Sequence, residues 1–224
     1  MPMTRRRRRL TLQAAGLAAL LTALSPATAQ TPRARFGAIP DDVWQRMQGR
    51  SWRPDLPCAR REDLALMQIP YRDFDGATRS GELIVARGVA PQVAAIFDEI
   101  YDSGRFRIYQ MRLIDDFGGS DDASIAANNT SGFNCRTTDH GGLSKHALGL
   151  AIDINPVQNP YREGAVTAPE AGRAYDEPHE RHSQTTGIIL EGDVVTRAFA
   201  RRGWSWGGRW THTVDYQHFS KGGH

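Results

Sequence analysis

Between two long polar stretches, residues 115–145 and 156–190, the chain carries one short alternation of apolar and polar residues. Leu150, Ile152 and Ile154 fall on one side, and Ala151, Asp153 and Asn155 on the other. That period of two is the mark of a half-buried strand, and it turns Asp153 away from the apolar face. The flanking stretches are rich in Gly, Asp, Asn, Ser and Thr, and the second also holds Pro156, Pro160, Pro169 and Pro178. Long stretches of this kind inside a compact domain are commonly functional. Residues 115–145 therefore read as loop, and residues 156–190 as a surface excursion and a partly mobile rim. A chain interrupted in this way does not fit a regular strand–helix repeat.

The other periodic segments are of both types. Asp41 and Asp42 after Pro40, followed by Val43, Trp44 and Met47, predict a short helix ending near Gly49. Residues 67–74 and 80–87 predict a hairpin about Asp75 and Gly76. Val93, Ile96, Phe97, Ile100 and Tyr101 recur at helical spacing between Pro91 and Gly104. Residues 108–114 predict a strand, Asp193 caps a helix over Val194, Val195, Ala198 and Phe199, and residues 204–219 predict strands. This mixture implies an α+β fold.

The basic character of the chain is local. There are 28 Lys and Arg against 25 Asp and Glu, but residues 5–9 are five consecutive Arg followed by an apolar, Ala- and Leu-rich run to about residue 24. Ala27, Thr28 and Ala29 then supply small residues for cleavage, which completes the pattern of a secretory signal peptide. The expected organisation is a signal peptide over residues 1–29, a polar tether over 30–38 and one domain over 39–224. Without the five Arg, 23 basic residues face 25 acidic ones, a net charge of −2. A nucleic-acid partner is therefore not expected, nor a stable membrane span once the leader is cut. The expected location is the periplasm or outside the cell, and the expected state is monomeric. Cys58 and Cys135 are the only cysteines. In an exported protein they read as a disulfide, worth about 4 kcal/mol in the chain-entropy model.

Three residues suggest a metal. Six residues separate His146 from Asp153, with Gly149 among them to reverse direction, and His218 follows Asp215 by three. Two imidazoles and one carboxylate suit zinc, with a fourth position left for water. Asp215 is placed to act as the proton acceptor beside such a metal. Among the remaining histidines, His212 is the competitor for His218, while His140, His179, His182 and His224 lie in polar, loop-like surroundings. The acidic group Asp115, Asp116, Asp121 and Asp122 would suit solvent or cations, or, in a different reading, the carboxylate pair of a glycosidase.

Ser144, His146, Gly149, Ala151 and Asp153 fill every specified position of a motif, S-x-H-x-x-G-x-A-x-D, and in this they resemble the zinc D-alanyl-D-alanine peptidases of peptidoglycan. Asp215, Tyr216, Gln217 and His218 resemble the second motif of that family. Many members have Glu in place of Asp215; the Asp form is similar to the L-alanyl-D-glutamate peptidase branch. The resemblance spans about residues 58–219. It implies a small central antiparallel sheet with flanking helices, the fold shared with the hedgehog signalling domain. It further implies Zn²⁺ on His146, Asp153 and His218, Asp215 as general base, and peptidoglycan stem peptides as substrate. Family members carry an Arg upstream of the first motif that holds a substrate carboxylate or carbonyl, and Arg136 and Arg112 are the two candidates here. Arg136 is favoured because a bridge at Cys135 would fix it, and Ser144 either donates to the substrate backbone or stabilises its own turn. Trp204, Trp206 and Trp210 fill the core or stack on substrate. Two options for the bond cut remain open, a terminal D-Ala or an internal L-Ala–D-Glu or cross-link bond, as does a catalytically silent zinc-containing binding module.

Overall fold

The structure is a computed structural model that describes Met1, residues 31–138 and residues 141–223. The expected signal peptide, apart from Met1, and His140 and His224 lie outside the described residues. Residues Pro32–His224 form one compact unit.

The chain begins with a three-stranded antiparallel sheet. Strand β1 (Arg35–Gly37) precedes helix α1 (Asp41–Met47), and strands β2 (Leu64–Arg72) and β3 (Thr78–Ala86) make the expected hairpin. β2 is central, with Arg35 opposite Gln68 and Met67 opposite Leu83. Part of the segment expected to be a polar tether is thus a paired strand, and the Ala34 amide donates to Asp98 as it enters.

Helix α2 (Ala90–Ser103) lays Val93, Ile96, Phe97 and Ile100 against Met67, Ile69 and Leu83 of the sheet. This is the apolar stripe visible in the sequence. The segment expected to be a strand at residues 108–114 pairs only over β4 (Gln110–Met111), parallel to β5 (Asn129–Thr130). Between them lie a 3-10 turn over Ile114–Phe117 and helix α3 (Asp121–Ala126), capped by Ser120, whose Oγ accepts the Ala123 amide. So residues 115–145 are not one loop. Their polar side chains are spent on caps and turns rather than on solvent.

The rest of the fold is two small antiparallel sheets. β6 (Ala151–Asp153), β9 (Trp204–Trp206) and β11 (His218–Lys221) form one, with β11 in the middle. β7 (Tyr161–Glu163), β8 (Val166–Ala168) and β10 (Thr213–Asp215) form the other, with β7 in the middle. The expected α+β class holds, with the antiparallel pairing distributed over three small three-stranded sheets. The 156–190 excursion is not a bare rim, because it supplies β7 and β8 and 3-10 turns over Glu170–Tyr175 and Pro178–Glu180. Helix α4 (Val194–Ala200) follows its Asp193 cap and packs Val195, Ala198 and Phe199 into the main core.

A smaller core gathers Ile39, Val43, Met47, Leu64, Ile84, Leu113 and Phe133 beside Cys135. There Cys58 and Cys135 are joined in a disulfide. Among the described residues, no helix is long and apolar enough to cross a membrane.

Candidate metal centre

Two strands and one turn bring the site together. Ser144 caps a 3-10 turn over Lys145–Leu148, its Oγ accepting the His146 amide at 3.2 Å. The chain then reverses at Gly149 in the left-handed region, at φ +66°. A Cβ on Gly149 would sit 2.4 Å from the Ala86 nitrogen, so the reversal is pressed against the end of β3. Its carbonyl accepts that same Ala86 amide at 2.8 Å. Beyond the turn, β6 runs antiparallel to β11 with Asp153 directly opposite His218. Facing residues in such a ladder hold their side chains in contact range.

The strand over residues 151–153 is not half-buried. Ala151, Ile152 and Asp153 are all buried, because Asp153 also bridges to Ser131 on its other edge. Its carboxylate, 4 % exposed, points to two imidazoles that are themselves 3 % and 9 % exposed, those of His146 and His218. His146 Nε2 lies 3.0 Å from Asp153 Oδ2, and His218 Nδ1 lies 3.0 Å from Asp153 Oδ1. The two ring nitrogens are 3.3 Å apart.

These separations are those of a metal cage. Nitrogen and oxygen ligands of a tetrahedral zinc stand about 3.3 Å from one another, given bonds of about 2.0–2.1 Å. The ring orientation also fits. His146 Nδ1 lies 2.6 Å from the Gly132 carbonyl, a pure acceptor, so Nδ1 carries the proton and Nε2 presents its lone pair. Two imidazoles and a carboxylate suit a divalent transition-metal ion, zinc among them. Desolvation lowers the His146 pKa, but the Asp153 carboxylate outweighs it and leaves the imidazole above its ordinary value. Burial would raise Asp153, yet His146 and His218 hold it well below the usual carboxylate range.

Asp215 stands at the end of β10, opposite Tyr161 of β7. Its Oδ1 is shielded from solvent and has no hydrogen-bond partner. Burial, followed by the charge of His218 pulling the other way and that of Asp153 reinforcing it, pushes its pKa up to about 7. Gly207 makes this approach possible, since a Cβ there would lie 2.6 Å from the Asp215 carbonyl and 3.3 Å from His218 Cβ. The Trp210 ring lies 5.3 Å from that of His218. Trp204 and Trp206 are core residues, and Trp206 Nε1 donates to the Tyr216 carbonyl at 2.8 Å.

Of the two candidate arginines, Arg136 belongs to the surroundings of His146 and Arg112 does not. The charges acting on His146 are those of Asp153, Arg136 and Asp121. Arg136 is half-buried and pairs with Asp121 at 2.9 Å, while its Nε is buried with no partner. Arg112 instead pairs with Asp116 and lies over the Phe117 ring. His179, His182 and His212 are exposed and outside the cluster.

The acidic group expected to face solvent or cations is mostly engaged. Asp115 is buried and accepts from the Ser51 hydroxyl and amide, Asp116 holds Arg46 and Arg112, and Asp121 holds Arg136. Three contributors had no chemical signal in the sequence: the Gly132 carbonyl, Gly207 and Arg181. A Gly-Gly pair ahead of Trp210 was the one hint of a close approach.

Residues 137–221 match the model of a family described as D-alanyl-D-alanine carboxypeptidase. Over that stretch, which is less than half of the chain, the sequence is similar to this peptidase family. The match takes in Ser144, His146, Asp153, Asp215 and His218, and begins one residue after Arg136. Neither a curated protein nor a solved structure gives a match.

Proposed function

From a chain whose residues 137–221 belong with peptidases, we propose an exported zinc-dependent hydrolase of peptide bonds in peptidoglycan stem peptides. The observation that carries this reading is the buried His146–Asp153–His218 cluster with an unpartnered Asp215 oxygen beside it. His146 Nε2, Asp153 and His218 Nδ1 would hold the ion. When bound, zinc polarises a carbonyl and makes water a stronger acid near neutral pH.

The chain's own residues supply the rest. Asp215, with its pKa raised to about 7, is suited to take the proton of the attacking water and return it to the leaving amine. Arg136, held by Asp121 and half-buried near His146, would offer the exposed part of its guanidinium to a substrate carboxylate or carbonyl. Ser144 spends its oxygen lone pair on the His146 amide, which leaves its hydrogen for a substrate acceptor. Trp210 closes one side against His218. The disulfide fits an oxidising compartment, periplasmic or extracellular.

The test is digestion of muropeptides with and without a chelator, read by mass spectrometry. Loss of D-Ala, or scission at L-Ala–D-Glu, that the chelator abolishes is the expected result and names the bond. Binding without any product would overturn the reading in favour of a silent module.

A further inference from the structure

A second site stands apart from the metal donors. A cavity of about 420 Å³ opens between residues 105–107, residues 183–188 and the segment leading into α4. Along residues 105–108 the side chains alternate: Phe106 and Ile108 enter the core, and Arg105 and Arg107 face outward. Both line the cavity, together with Arg197 of α4 and with Ser183, Thr185 and Thr186.

These three arginines differ from most others in the chain. Thirteen arginines have an Asp or Glu within ion-pair range. Among the described residues, Arg105, Arg107 and Arg197 have none. Arg107 donates only to the Gly104 carbonyl and Arg197 only to the Gly192 carbonyl. The one carboxylate in the lining is Asp193, and both its oxygens are already used. Oδ1 accepts from the Thr196 amide and hydroxyl, and Oδ2 from the Leu190 amide. The wall is also fixed in place, because the Gly187 carbonyl accepts from Asn155 and Asn159 at 3.0 and 2.9 Å.

We infer that this cavity is a binding site for an oxyanion group, a carboxylate or a phosphate, held by Arg105, Arg107 and Arg197. Three guanidinium groups without an ion-pair partner, set against the single carboxylate of Asp193, leave this concave lining with a net positive charge that favours an anion. Their planar forks match the two oxygens of a carboxylate or phosphate. The inference does not rest on the peptidase reading, and either stands if the other fails.

The test is calorimetric titration of the full protein with inorganic phosphate and, separately, with N-acetyl-D-glutamate, at constant ionic strength. Saturable binding of at least one probe is expected. Phosphate alone assigns a phosphate group, the dicarboxylate alone a carboxylate, and both the shared chemistry. Arg105→Gln, at a side chain with no hydrogen bond or ion pair among the described residues, should weaken binding by about tenfold or more. Arg197→Gln should do the same, and Arg87→Gln, outside the cavity, should leave binding unchanged. No saturable binding by the parent protein overturns the site. So does Arg105→Gln binding as tightly as the parent, or Arg87→Gln weakening it equally.

Discussion

The Arg181 guanidinium lies 3.6 Å above the ring centre of Tyr216, the residue that follows Asp215. Arg181 is 8 % exposed and has no carboxylate partner among the described residues. It donates instead to the carbonyls of Gln158, Tyr175 and Ile189 and to Asn159 Oδ1. The Tyr216 amide donates to the Pro160 carbonyl. One buried cation thus ties the 156–190 excursion to the strand that carries Asp215.

Arg181→Met should therefore destabilise the fold by about 2–4 kcal/mol, since it removes the donor from the Gln158, Tyr175 and Ile189 carbonyls and leaves Asn159 Oδ1 with the Ile189 amide alone. Chemical denaturation would measure this. A midpoint equal to that of the parent would mean that water satisfies those acceptors.

Asp215→Asn keeps the size of the side chain and removes its ability to accept a proton. Metal content by elemental analysis should stay at the parental level, while hydrolysis falls by about 10²–10⁴-fold. His146→Ala should do the reverse in order of cause, losing the metal first. Parental turnover by Asp215→Asn would place the proton acceptor elsewhere.

The metal-free protein should lose stability as pH rises from about 5 to 8. Folded Asp215 keeps its proton to about pH 7, whereas its ordinary value is 3.8. Between those values the folded state binds more protons than the unfolded one, so each step up in pH favours unfolding. His146, raised above its ordinary 6.5, stabilises in its protonated form and loses that contribution as pH passes its raised value. Asp153 is held below 3.8 and acts only at the acid end, where its contribution is lost as pH falls. The zinc-loaded protein should show the opposite slope, because binding displaces the protons. Melting temperatures of both forms across this range are the measurement, and a metal-free protein that gains stability toward pH 8 would contradict these assignments.

Gly149→Ala should cost several kcal/mol and weaken metal binding, although the residue touches no metal donor with a side chain. A left-handed backbone alone costs an L residue about 1–2 kcal/mol. The new Cβ would also press on the backbone of Val85 and Ala86. Zinc titration together with a thermal melt would show whether the turn between His146 and Asp153 has opened.

Much of the site could be read from the chain because its donors sit on short, regular offsets. A strand alternation fixes the orientation of Asp153, and a turn glycine fixes its distance from His146. The period of α2 and the turn at Asp75 and Gly76 were equally plain. The environment of Asp153 was not, because a polar residue at an outward register position reads as exposed until a second strand covers it. Strand β11 and the Ser131 bridge supply that cover from sixty-five residues ahead and twenty-two behind in sequence. The 156–190 segment was illegible for a related reason. Its short strands have no apolar stripe and exist because β10 pairs with β7, and β7 in turn with β8. Arg181 gave no sign of being buried, since nothing local marks a guanidinium whose partners are all carbonyls.

The Cys58–Cys135 bond ends one residue before Arg136 and beside the loop that leads into the Ser144 turn. Its consequence is one of timing. The donors His146, Asp153 and His218 need no oxidation to meet, but the arm that carries Arg136 gains its covalent anchor only when the two thiols are oxidised. A copy with this bond reduced would keep its three candidate donors on their own strands and turn, while the arm that carries Arg136 lost its covalent anchor.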